Sequence, residues 1–182
     1  TPRLITEPEN VVLEDLSTTN QALLITEADQ HNLLGNDPNP TTFYLLENRQ
    51  QMGWDEYLPG HGLMLTKIQY NYNKWYQNIV NNTASSMGVD LIEADGITDK
   101  TYAKVGDLFP AGATEYTGIA DHPIKNIREK NGAILFNYRN AASVPEDDLE
   151  VCDNCQIQYS SSDGNIVTPY KTDVFGANIV SN

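Results

Sequence analysis

Basic residues are scarce in this sequence: 11 Lys and Arg stand against 25 Asp and Glu, for a net charge of −14. No three consecutive basic residues occur anywhere. A phosphate backbone or an anionic membrane surface needs such cations, so the composition argues against both as partners. Long apolar runs are missing too, and with them any segment able to cross a bilayer as a helix. The three histidines, His31, His61 and His122, are too scattered to form a zinc-binding HExxH helix. Neither a Gly-x-Ser-x-Gly nucleophile turn nor a phosphate-cradling glycine loop can be found. No residue is therefore assigned a catalytic, cofactor-binding or metal-ligating role. Cys152 and Cys155 form a lone C-x-x-C without a second pair or a βαβ setting, which favours a local disulfide or two free thiols over a functional site.

What is there reads as one ordinary domain with a short appendage: 182 residues, 40% hydrophobic, the apolar positions interleaved with polar ones. The acidity fits a well-hydrated exterior, with carboxylate clusters for calcium as the other reading. Ten Tyr and abundant Asn, Thr and Ser match exported bacterial β proteins more than cytosolic enzymes. Because the chain begins at Thr1 without a methionine, we expect a processed or trimmed piece, its upstream sequence and export signal missing.

Compact or alternating apolar runs bounded by turn residues predict strands at Val11–Leu16, Leu23–Thr26, Thr42–Arg49, Gly62–Tyr70 and Val89–Ala94. Helical periodicity is confined to Asn73–Asn82, a poor helix with four Asn. Two extended runs, Pro123–Glu129 and Ala133–Arg139, flank Lys130-Asn131-Gly132, whose Asn-Gly supplies the positive φ of a tight hairpin. A second hairpin is expected from Gln156–Ser160 and Asn165–Pro169. The expected architecture is mostly β, an antiparallel sandwich-like domain over residues 1–140 with at most one short helix. Residues 141–150 read as a linker and 151–182 as a short β tail preceding a missing C-terminal region. Trp54, Trp75, Phe43, Leu45, Leu63, Leu65, Ile134 and Phe136 are the expected core.

Strand alternation puts Phe43, Leu45, Glu47 and Arg49 on one face. If Phe43 and Leu45 face the core, the two charges follow them inward and must be paired, with Asp55 as a candidate partner; solvated charges on an exposed edge are the alternative. His61, between Gly60 and Gly62, is read as capping a turn or bonding a carboxylate. Tyr70, Tyr72, Trp75 and Tyr76 form an aromatic group that is either core packing or a platform for sugar rings. Asn36-Asp37-Pro38-Asn39 and Asp95–Asp99 are oxygen-rich loops of the kind calcium uses. Neither has regular calcium-loop spacing, and turn chemistry accounts for both.

The run Tyr44-Leu45-Leu46-Glu47-Asn48-Arg49-Gln50, then Gly53-Trp54-Asp55, then Leu58-Pro59-Gly60-His61-Gly62-Leu63-Met64, resembles a segment of the immune inhibitor A family of secreted zinc metallopeptidases. Trp75, Asn78, Asn81, Ala94-Asp95-Gly96, Gly106-Asp107-Leu108-Phe109-Pro110 and the closing Ile124–Tyr138 follow in order, so the likeness spans about residues 42–139. It marks Glu47, Asn48, Arg49, Asp55, His61 and Trp75 as a structural motif. In that family the segment lies downstream of the zinc-binding helix, which implies a non-catalytic portion partnered by an upstream catalytic domain that holds the zinc. Where relatives often carry His-Val-Asp and an acid, this chain has Lys67-Ile68-Gln69-Tyr70-Asn71. The tail, with Ser162-Asp163-Gly164-Asn165 and Tyr170–Ala177, resembles the lead-in of leucine-rich-repeat surface proteins of gut-dwelling Bacteroides-type bacteria. Together these imply a secreted or cell-surface location, with an adhesion or glycan-binding module, taking protein or glycan ligands, as the other functional reading.

Overall fold

The computed structural model describes residues 1–98 and 102–142, and by their backbone the strand residues 159–160, 166–170 and 178–180. The chain divides into two units, Thr1–Ser143 and Val144–Asn182.

The first unit is built from two sheets. Strands β1 (Arg3–Leu4), β3 (Leu23–Ile25), β4 (Thr42–Arg49), β5 (Gly62–Gln69) and β6 (Val89–Leu91) form a five-stranded sheet in the order β1-β3-β4-β5-β6. Its pairings are antiparallel except for the parallel β1–β3 contact. Strands β2 (Glu9–Leu13), β7 (Ile124–Lys130) and β8 (Ala133–Tyr138) form a three-stranded antiparallel sheet in the order β2-β8-β7. The domain is thus mostly β, as its composition and alternation lead one to expect. Two short helices accompany the sheets, α1 (Leu16–Thr19) and α2 (Tyr72–Tyr76), where the sequence pointed to one at most. A single turn such as α1 leaves no periodicity to read; it exists because the Asp15 side chain caps it by accepting from Thr18 N–H.

The β7–β8 hairpin is the element the sequence specifies most directly. Lys130 pairs with Ala133, leaving Asn131 (φ 54°) and Gly132 (φ 80°) as a two-residue turn with both φ values positive. That turn matches the twist of the flanking strands, and Asn-Gly is the dipeptide that enters it with least strain. By contrast α2 stops at Tyr76, well short of Asn82. Asn78 adopts a left-handed φ of 56°, and the Asn81 side chain abandons helical bonding. It accepts from Gly88 and Val89 N–H and donates to the Val89 carbonyl instead.

One apolar core lies between the inner faces of the two sheets. Leu46, Leu63, Leu65 and Ile25 from the large sheet meet Val11, Leu13, Ile134 and Phe136 from the small one, with Phe109 and Ile119 from the connections. Four of the expected core residues, Leu63, Leu65, Ile134 and Phe136, are fully buried here. Trp54 is not: it is 98% exposed. Phe43, Leu45 and Trp75 are only part-buried and lie outside this core. The second unit holds β9 (Tyr159–Ser160), β10 (Ile166–Tyr170) and β11 (Asn178–Val180), an antiparallel sheet ordered β11-β10-β9. Ser160 pairs with Ile166, in keeping with a hairpin there. Its turn residues, Cys152, Cys155 and positions 143–150 of the expected linker lie outside the described residues.

Phe136→Ala is expected to cost about 3–5 kcal/mol, because its ring is enclosed by both sheets and the site cannot collapse freely. A urea-unfolding midpoint unchanged from wild type would show the ring to be outside the core.

Candidate functional site

Strand β4 organises the candidate site, because its two faces do different work. Its burial alternates, with Tyr44, Leu46 and Asn48 inward and Phe43, Leu45, Glu47 and Arg49 outward. The face carrying Glu47 and Arg49 is therefore the outer face of the sheet, and not the core side suggested by Phe43 and Leu45. Both faces open with an aromatic and a leucine, so the apolar pattern alone does not select between them. The charges nevertheless pair. Arg49 Nη2 donates to Glu47 Oε2 at 3.0 Å and Nη1 reaches Asp55 Oδ2 at 3.2 Å, with all three side chains largely shielded from solvent. Burial lowers the Arg49 pKa, but hydrogen bonds and charge from Glu47, then Asp55, outweigh it and hold it above the usual arginine value.

That ion triad shapes the loop after β4. Asp55 belongs to a 3₁₀ turn, Gly53–Asp55, entered through Gly53 at φ 59°. Successive residues of a 3₁₀ turn point about 120° apart, so fixing Asp55 on Arg49 turns Trp54 away from the protein. Trp54 (98% exposed) and Tyr57 (90%) then stand in solvent, flanked by exposed Met52 and Leu58. A loop with a pinned base and a fully exposed apolar tip is unusual for a surface without a partner.

Asn48 points the other way and is fully buried. Its amide donates to the carbonyls of Leu13 on β2 (2.9 Å) and Gly132 in the β7–β8 turn (2.8 Å), and its oxygen accepts from Gln50 Nε2 (2.8 Å). His61 is separate again, its Nδ1 lying 2.9 Å from Glu129 Oε2 on β7. The glycine after it is obligatory: a Cβ on Gly62 would lie 2.2 Å from the Phe109 carbonyl oxygen, where φ is +134°. Trp75 packs against Tyr70 with ring centroids 4.9 Å apart, close over Gly88, where a Cβ would come within 2.8 Å of its ring. The structure thus gathers Glu47, Arg49 and Asp55 into one network and leaves Asn48, His61 and Trp75 in three others.

A further cluster escapes sequence reasoning. Asp29 bridges His122 Nε2 (3.0 Å) and Arg139 Nη2 (2.8 Å). Arg139 also bonds the carbonyls of Asp121 (3.1 Å) and Thr6, tying three segments together. Its members lie 93 and 110 residues apart in the chain, so no spacing could announce it. His122 is 1% exposed, and its other ring nitrogen faces the Ala120 carbonyl. With both nitrogens engaged it has no free position from which to serve a substrate. Burial raises the Asp29 pKa, but hydrogen bonds from His122 and Arg139 and their positive charge prevail and hold it below the usual 3.8. Among the described residues no three His, Cys, Asp or Glu side chains gather to hold a metal, and no helix is long and apolar enough to cross a membrane.

Two outcomes follow from this geometry. Asn48→Leu keeps the volume but leaves a buried carbonyl, a part-buried one and the Gln50 amide without their partner, so it is expected to cost at least about 2 kcal/mol in chemical denaturation. A depressed Asp29 pKa contributes stability that is present above its unfolded value and lost as pH falls through the folded one. Asp29→Asn should therefore lower stability at neutral pH and flatten the acid loss as pH falls below about 5, read from urea midpoints at a series of acid pH values. Parallel acid profiles for the two proteins would contradict the linkage.

Compared with protein-family models, with curated proteins and with solved structures, the chain matches none.

Proposed function

We propose that this chain is a non-catalytic, β-rich portion of a secreted or cell-surface zinc metallopeptidase-like protein. Its 52–58 loop seats it against a catalytic domain that lies upstream. The observation that carries this reading is Trp54, 98% exposed on a turn whose base is held by the Arg49–Asp55 pair. Trp and Tyr anchors supply much of the binding energy at protein interfaces, and an anchor already ordered costs little further entropy on docking. The loop also lies inside the segment that resembles the immune inhibitor A family, so the feature that needs a partner and the feature that names one coincide. Zinc and the catalytic Glu belong to the upstream domain in this reading, and the role of this chain is to support that domain.

A second reading, an adhesion or glycan-binding module, is favoured by Tyr72 and Tyr76. Both are exposed, and their rings lie 5.9 Å apart and within 16° of parallel, a flat aromatic surface of the kind on which sugar rings stack. Exposed Asn73 and Gln77 flank them as hydrogen-bonding amides.

The deciding experiment is to read the coding sequence upstream of Thr1, express that region separately, and measure its association with this chain. An HExxH within the few hundred residues before Thr1, chelator-sensitive casein hydrolysis, and at least a tenfold weaker association for Trp54→Ala are expected. An upstream region without HExxH sinks the peptidase reading. In that case a glycan array bound by the wild-type chain, and not by Tyr72→Ala with Tyr76→Ala, would support the adhesive one.

A further inference from the structure

The outer face of the five-stranded sheet is apolar well beyond β4. Directly opposed residues of antiparallel strands share a face, so the register sets Leu24, Leu45, Thr66 and Leu91 in one row. Phe43, Ile68 and Val89 form the next. Leu33, Leu34 and Pro38 of the β3–β4 connection, with Trp75 beyond β5, complete the walls of a cavity of about 330 Å³ above these rows.

The chemistry of the walls is selective. Apart from His31 and the terminal amino group of Thr1, no ionisable group lines the cavity, and two of its polar lining atoms are already engaged. Tyr70 Oη donates to the Asn36 carbonyl at 2.9 Å, and His31 Nδ1 accepts from Leu33 N–H at 2.9 Å. Burial, opposed by the Pro40 carbonyl, lowers the His31 pKa, so its ring adds no charge at neutral pH. An ionic ligand entering this space would lose its hydration against mostly apolar walls, and an anion would also meet a net charge of −14. Two aromatic pairs flank the space: His31 edge-on to Phe43, centroids 4.8 Å apart, and Tyr70 tilted on Trp75. A flat ring entering between them extends both contacts in the offset and edge-to-face geometries that aromatic rings prefer.

We propose that this cavity binds an uncharged aromatic molecule of roughly two rings, judged against the ~150 Å³ apolar cavity known to accept benzene. The site lies apart from the 52–58 loop and does not depend on the docking role given to it.

The test uses the uncharged two-ring fluorescent probe 1-naphthylamine with the full chain. Saturable one-to-one enhancement is expected, displaced by naphthalene and not by naphthalene-2-sulfonate. In Trp54→Phe the one remaining tryptophan is Trp75, and energy transfer from it to the bound probe is expected. Leu45→Trp and Val89→Phe, which fill the cavity, should each weaken binding at least tenfold while circular dichroism shows the sheets intact. Should either substitution disturb the fold, displacement and Trp75 transfer in the otherwise native chain decide. Absence of saturable binding, absence of transfer from Trp75, equal displacement by the sulfonate, or loss of binding in Trp54→Ala with the cavity-filling variants unaffected would each overturn the proposal.

Discussion

Asn48 is the polar contact on which the two-sheet arrangement turns. A β-sheet satisfies its own backbone along its strands, and the space between two sheets is held by non-directional apolar packing. Packing alone leaves their relative register loosely specified. One buried amide on β4, bonded to Leu13 of β2 and to the turn at Gly132, sets that register. Its value is conditional, because each bond is worth little net while each orphaned group is expensive. Any slip of one sheet over the other would strand a buried amide and two carbonyls together. Gln50, bonded to the Asn48 oxygen, completes the accounting.

The same strand builds the outer face. Pleating sends alternate side chains of β4 to opposite sides, so the residues that fix the core come interleaved with those that make the surface. Phe43 and Leu45 floor the apolar cavity at one end of that face, and Glu47 and Arg49 anchor the aromatic loop at the other. Buried or half-buried ion pairs contribute little net stability but are costly to break on one side, which suits them to holding geometry. Here the geometry held is that of Trp54. The exposed tryptophan and the cavity are thus both consequences of one strand having two covered faces, one covered by the second sheet and the other only in part by loops.

Asp29, His122 and Arg139 add a second polar closure among connecting segments. They join the turn after β3, the segment before β7 and the end of β8, each of which otherwise ends in exposed connections. The closure explains why a buried histidine is tolerated: its polar atoms face a carboxylate and a carbonyl.

Much of the fold was legible in the chain, and the reasons are local. The β7–β8 hairpin follows from Asn131-Gly132, the two long strands β4 and β5 from their alternation and flanking turn residues, and the mostly β class from the near absence of helical periodicity. The pairing of Arg49 with Glu47 and Asp55 could be anticipated because shielded charges need partners wherever they lie. Other features were decided only by the tertiary structure. Phe43-Tyr44-Leu45-Leu46 is apolar on both faces, so the chain does not say which face meets the second sheet, and the choice that buries Asn48 sends Phe43 and Leu45 outward. Trp54 reads as core by composition and stands in water because Asp55 is held by Arg49. The helix after Asn71 ends early because Asn81 finds better partners on β6. Asp29, His122 and Arg139 meet across a hundred residues. The sequence by itself determined what short-range chemistry determines: turn φ values, alternation and the need of shielded charges for partners. Which face is inside and which distant groups meet were settled by packing, because only the assembled sheets supply the partners that make one choice cheaper than the other.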